Sequence, residues 1–273
     1  MLKNKTVSPY KTTLDAGNAY WMARLSKAVY LKKSETDQMP DEDKILANLK
    51  EDDDEFLSVA GFDNNSSQAV LIEHEKYLCM SFRGTDESAD WLDNINVLSK
   101  KKSFGKFHQG FWNALEDIWK PLDDQFQSLQ KQKERPLFIT GHSLGGAMAS
   151  VAAAKLINEN RYFISVYTFG QPRALTRTTA KTFNAECRSR FFRFHNNNDI
   201  VTRIPSWMTG YGHVGTYLYI TEEKEIYRDK DFWFRFIDYI DGAFSSLTER
   251  GIDAIFDHSI DEYLTAIEKW DLK

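Results

Sequence analysis

Ser143 lies in the run Thr140-Gly141-His142-Ser143-Leu144-Gly145-Gly146-Ala147, after the apolar stretch Leu137-Phe138-Ile139 and before the small-residue stretch Ala149-Ser150-Val151-Ala152-Ala153-Ala154. A strand therefore leads into the serine and a helix leads out of it. A hydroxyl on so sharp a turn is presented at the end of a sheet, where it can attack a carbonyl carbon. Gly141 and Gly145 stand two positions either side of it, where a Cβ would obstruct the approach of strand and helix.

A serine hydroxyl is a weak nucleophile at neutral pH and needs a base, and the base needs an orienting acid. For a serine on such a turn, the acid and then the histidine follow in chain order. A strand expected at 190–194 runs into His195-Asn196-Asn197-Asn198-Asp199-Ile200-Val201. A carboxylate just past a parallel strand lies on the sheet edge where active sites assemble, which makes Asp199 the acid candidate. Of the six histidines, His74, His108, His142 and His195 precede Asp199, and His142, beside the serine, is expected to point away from it. Only His213 and His258 obey the order. His258 leads into a last amphipathic helix and is preferred as the base, with His213 as a structural polar residue nearby. An oxyanion needs two backbone donors: Leu144, directly after the serine, and a residue in a loop after an early strand. Ser81-Phe82-Arg83-Gly84-Thr85 closes such a strand and offers Thr85.

Strands are expected at 56–62, 68–73, 76–82, 162–169, 190–194, 213–221 and 225–227, besides the one before Ser143. Helices are expected at 19–30, 111–130 and 178–185, after Ser143, and near the C-terminus. Alternation of strands with helices predicts an α/β fold: a mostly parallel central sheet with an antiparallel edge hairpin and helices on both faces. No linker or repeat divides residues 1–273, so a single domain is expected.

Composition restricts the function classes. The net charge of −5 offers no basic face for phosphates, so no nucleic-acid partner is expected. Cys79 and Cys187 make no framework and read as two free thiols. The acidic run Glu51-Asp52-Asp53-Asp54-Glu55 lacks the glycine and ligand spacing of a calcium loop and reads as a solvated face, so no metal is expected. The first ten residues hold no apolar signal core, and no stretch is long and apolar enough to span a bilayer. A cytoplasmic location is the default expectation.

Six blocks occur in one order: Phe82-Arg83-Gly84-Thr85, Asp90-Trp91-Leu92-Asp93-Asn94, His108-Gln109-Gly110-Phe111, Thr140 to Ala147, Tyr167-Thr168-Phe169-Gly170-Gln171-Pro172-Arg173, and Asn198-Asp199-Ile200-Val201. Together they resemble the class 3 (fungal-type) lipases of the α/β-hydrolase superfamily. The resemblance implies a triad of Ser143, Asp199 and His258, oxyanion donors at Thr85 and Leu144, and hydrolysis of lipid esters without a metal or organic cofactor. The implied partner is a lipid or small ester, met through at most a transient contact with a lipid interface. The alternatives are a phospholipase A1, a small-ester esterase, or a non-catalytic lipid- or partner-binding module on the same fold. By the same resemblance Asp86, Glu87, Ser88, Ala89, Asp90, Trp91 and Leu92 are the lid candidate, here acidic with a single Trp and little apolar area. The aromatic segment Asp231-Phe232-Trp233-Phe234-Arg235-Phe236-Ile237-Asp238-Tyr239-Ile240-Asp241 reads as a helix packed on the sheet.

Overall fold

The computed structural model describes residues 5–85, 97–229 and 257–271. The lid candidate and the aromatic segment at 231–241 lie outside the described residues. Among the described residues, an eight-stranded sheet is built from β1 (Phe56–Asn64), β2 (Ser67–His74), β3 (Leu78–Phe82), β6 (Leu137–His142), β7 (Ser165–Phe169), β9 (Phe191–Asn196), β11 (Thr216–Ile220) and β12 (Ile226–Arg228), in that spatial order. The five strands from β3 to β11 pair in parallel, and β1, β2 and β12 are antiparallel additions at the two edges. This matches the arrangement expected from the sequence.

Strand alternation explains why both faces carry helices. In β3 and β6, Leu78, Met80, Phe82, Leu137 and Ile139 enter one core layer, while Cys79 and Phe138 enter the other. Near-continuous apolar runs of this kind suit parallel strands buried on both faces. The first layer is covered by α3 (Gln109–Gln132) and α4 (Leu144–Asn158), with α5 (Arg177–Cys187) adding Ala180, Phe183 and Cys187, and the second by α1 (Ala16–Ala28) and α6 (Ile260–Lys269). Each helix supplies an apolar stripe, as Phe111, Leu115, Ile118 and Leu122 do from α3. Cys79 and Cys187 are both buried and free, in opposite layers, which excludes a bond between them.

Two features were not expected. A helix α2 (Glu42–Lys50) buries Ile45 and Leu49 one turn apart, and the Asp41 side chain caps it by accepting the amide of Lys44 at 3.1 Å. A second sheet joins β4 (Ser99–Lys102), β5 (Gly105–His108), β8 (Leu175–Thr176) and β10 (Tyr211–Gly212). Two of its strands are two residues long, and β4 is almost all lysine, so no apolar alternation marks them. Among the described residues no helix is long and apolar enough to cross a membrane.

Candidate active site

Ser143 is the single residue between the end of β6 and the start of α4, with φ 58° and ψ −128°. That left-handed φ is costly for a residue with a side chain and persists only where the surroundings impose it. Two hydrogen bonds hold it. The Ser143 amide donates to the Phe169 carbonyl at 2.9 Å, and the Ser143 carbonyl accepts from the Gly146 amide at 2.9 Å. The glycines work as the sequence implies: a Cβ on Gly145 would run into the Phe82 carbonyl, and one on Gly141 into the Gly145 carbonyl. Ser143 is fully buried, and its Oγ has no hydrogen-bond partner among the described residues.

Asp199 sits in the turn after β9 and is wholly buried. Its Oδ2 accepts from Nδ1 of His258 at 2.9 Å and from the Tyr263 hydroxyl, and its Oδ1 accepts from the Val201 amide at 2.9 Å. Burial pushes this carboxyl upward, but His258, His195 and the Tyr263 hydroxyl outweigh it and hold it below the usual carboxylate range. An ionised partner on Nδ1 fixes the tautomer of His258: Nδ1 carries the proton and Nε2 keeps its lone pair. That Nε2 is buried and, like Ser143 Oγ, without a hydrogen-bond partner among the described residues.

The ring of His258 is held close to the serine turn. Gly170, directly after the Phe169 that accepts the Ser143 amide, lies against His258 and Asp199, and the rings of His142 and His258 lie 4.6 Å apart between centroids, tilted by 32°. On the other side, the loop after β3 presses on the serine: a Cβ on Gly84 would be 2.8 Å from Ser143 Cβ. Thr85 follows in that loop, and its Oγ1 is buried without a partner among the described residues. Leu144 opens α4, where the first amides of a helix have no acceptor within it.

Of the site residues expected from the sequence, Thr85 follows β3, Ser143 and Leu144 follow β6, Asp199 follows β9, and His258, just before α6, is bonded to Asp199. His213 is elsewhere. Its Nε2 donates to the Thr202 carbonyl at 2.8 Å, and burial, with Arg193 and Arg173 beside it, pushes its pKa well below the ordinary value. Bound to a carbonyl and not to a carboxylate, it has no orienting acid. Sequence reasoning missed Tyr263, which lies on the buried face of α6 and reads there as one more core aromatic. It missed Tyr30 as well, and the contacts of the His142 side chain.

In the acidic run 51–55, Glu51, Asp52 and Asp54 are exposed as expected, while Asp53 and Glu55 are half-buried. Ligand atoms of Asp53, Glu55 and His74 lie within 4.8 Å of one another, near the opposite edge of the sheet. The Nδ1 of His74 accepts the Lys76 amide at 3.1 Å, so the proton of the neutral ring is on Nε2, facing Asp53 at 3.2 Å. With no lone pair directed at the carboxylates, and Lys76 paired to Glu55, the cluster is an ion-pair network and not a metal cage.

Comparison with known proteins follows the same residues. The family model described as lipase (class 3) matches residues 79–209. A secreted mono- and diacylglycerol lipase A of Penicillium cyclopium is 27% identical over 157 residues, covering 56% of this chain and 51% of the relative. A secreted mono- and diacylglycerol lipase 1 of Fusarium solani is 31% identical over 142 residues, covering 50% and 42%. The matched stretch therefore spans about half the length of these curated relatives. A crystal structure of an MDLA variant from Penicillium cyclopium superposes with a TM-score of 0.70 at 20% identity, covering 92% of this chain and 96% of that one. At that identity the superposition shows the fold, which is that of the α/β-hydrolases. The expected cytoplasmic location is corrected: these relatives are named as secreted enzymes, and the residues that begin this sequence are no guide to a compartment.

Proposed function

We propose that this chain, whose residues 79–209 match the class 3 lipase family model, hydrolyses carboxylic esters of lipids through an acyl-enzyme on Ser143. Ser143 Oγ attacks the ester carbonyl carbon, and its proton passes to Nε2 of His258. The oxygen that becomes negative is held by the amides of Leu144 and Thr85. As the carbonyl re-forms, the C–O bond to the alcohol breaks and His258 returns the proton to the leaving oxygen. A water then repeats the sequence on the acyl group and frees the acid. Asp199 stabilises the imidazolium that forms in both halves.

One observation carries the reading. The 2.9 Å bond from His258 Nδ1 to a fully buried Asp199 leaves its Nε2, like Ser143 Oγ, buried and without a hydrogen-bond partner among the described residues. The names of the two fungal relatives, mono- and diacylglycerol lipases, support acylglycerols as the substrate class.

A fluorophosphonate probe, followed by hydrolysis of p-nitrophenyl esters of short and long chains and of mono- and diacylglycerol, tests this. Labelling of the wild type, its loss in Ser143→Ala, and fatty acid released from acylglycerols are expected. Absence of wild-type labelling, or equal labelling of the Ala variant, would make this a binding module. Preference for a phospholipid or for short esters alone would overturn the substrate class.

A further inference from the structure

His142 is buried and makes two hydrogen bonds. Its Nε2 is 2.7 Å from the backbone carbonyl of His258, and its Nδ1 is 2.7 Å from the Tyr30 hydroxyl. The proton positions follow from the partners. A carbonyl oxygen only accepts, so Nε2 carries a hydrogen and donates it. Burial, with His258 beside it, pushes the pKa of this ring down to about 3, so the ring is neutral near pH 7. A neutral ring with its proton on Nε2 must accept at Nδ1, and the Tyr30 O–H is therefore the donor there. The same Tyr30 oxygen accepts the Gly84 amide at 3.1 Å.

The three bonds form one directed chain: Gly84 N–H to Tyr30 oxygen, Tyr30 O–H to His142 Nδ1, and His142 Nε2–H to His258 carbonyl. Its ends lie in the two loops that a reacting ester must meet together, one beside Thr85 and the other holding the base. Asp199 holds the His258 ring through Nδ1, and the carbonyl of the preceding Asp257 accepts from Asn196 Nδ2 at 2.8 Å. The carbonyl of His258 has its hydrogen bond from His142.

On the reading given under Proposed function, we infer that His142 is a positioning residue. With Tyr30 it sets the distance between the main chain of His258 and the Gly84–Thr85 loop, so that base and oxyanion donors converge on one ester carbon. Its neutrality suits the place. The His258 imidazolium formed during turnover lies beside an uncharged ring, where a second cation would oppose it.

The test compares His142→Phe, His142→Gln and Tyr30→Phe, with kcat and KM on p-nitrophenyl butyrate counted per site titrated by fluorophosphonate. The Phe variant at 142 keeps a ring and removes donor and acceptor, while the Gln variant restores an amide donor near the place of Nε2. In His142→Phe, kcat should fall roughly 10- to 100-fold, since sub-ångström to ångström misplacement has effects of that order. KM should change little, because binding is not what the chain controls. The Gln variant should recover most of the loss, and Tyr30→Phe should lower kcat in the same direction. The downfield proton resonance of the His258 Nδ1–H bonded to Asp199 should broaden or vanish in His142→Phe and persist in His142→Gln. A wild-type kcat per titrated site in His142→Phe, or equal losses in Phe and Gln, would reduce His142 to core filling and overturn the inference. Should His142→Phe not fold, the Gln and Tyr30→Phe variants decide by the same measures. If the wild type neither hydrolyses esters nor takes the probe, the proposed function fails. The proton resonance then judges the chain alone, and its unchanged presence in His142→Phe would overturn it.

Discussion

The Cβ that Gly170 lacks would lie 2.8 Å from both Cε1 and Nδ1 of His258. The same atom would be 2.9 Å from Oδ2 of Asp199, and Gly170 has φ +60°. A glycine in the loop after β7 therefore lets the candidate acid and base close on each other. Any side chain there must displace one of them.

Gly170→Ala should accordingly cost activity more than fold. The overpacking and left-handed φ are expected to remove about 1–3 kcal/mol of stability, with kcat reduced on the order of 100-fold by a displaced ring. Thermal melting and steady-state kinetics measure the two effects. A variant with a lowered melting point and unchanged kcat would mean that the ring is not held where catalysis needs it.

Asp199→Asn separates charge and tautomer from shape. The amide nitrogen of Asn would donate to Nδ1 of His258 and move the ring proton to Nε2, where it blocks base action. A fall in kcat of roughly 10⁴-fold is expected, with the fold retained. Kinetics together with circular dichroism decide, and a loss under tenfold would remove Asp199 from the proposed machinery.

Acid should destabilise the protein well above the pH at which carboxylates ordinarily protonate. Burial holds His142 at about 3 and His213 well below its ordinary value. Unfolded, each ring titrates near 6.5. Between those values the unfolded chain binds protons that the folded chain refuses, so stability drops as pH falls below about 6.5. Each ring contributes roughly 1 kcal/mol per pH unit over that window. Asp199 adds to this only further down. Its depressed pKa gives stability that is present above the unfolded value of about 4 and is lost as pH falls through the folded value. Urea midpoints from pH 7 to pH 4.5 measure the slope, and a flat profile from 7 to 5 would contradict neutral burial of these rings.

Much of the frame was legible because local rules suffice for it. The β3, β6, β7 and β9 strands are apolar runs buried on both faces, and the turn at Ser143 needs glycines at 141 and 145 whatever surrounds it. Asp199 followed from its place after a parallel strand. The helix α2 was legible in principle, since Asp41 caps it and Ile45 and Leu49 share a face, but nothing catalytic drew attention to it. The small sheet was not legible, because strands of two residues have no period.

By itself the sequence determined the fold class and the serine on its strained turn, and it named candidates for acid and base after it, since each follows from residue types within a short window. Only the tertiary structure told His213 and His258 apart, because it shows which ring meets a carbonyl and which a carboxylate across long loops. It also turned Tyr30, His142 and Tyr263 from core aromatics and a bystander into hydrogen-bonding partners of the site. A hydrogen bond is directional and short, and its partner lies where packing brings it: Tyr30 meets His142 from 112 residues away. Patterning along a chain reports which faces are buried, and it is silent on which polar atoms meet there.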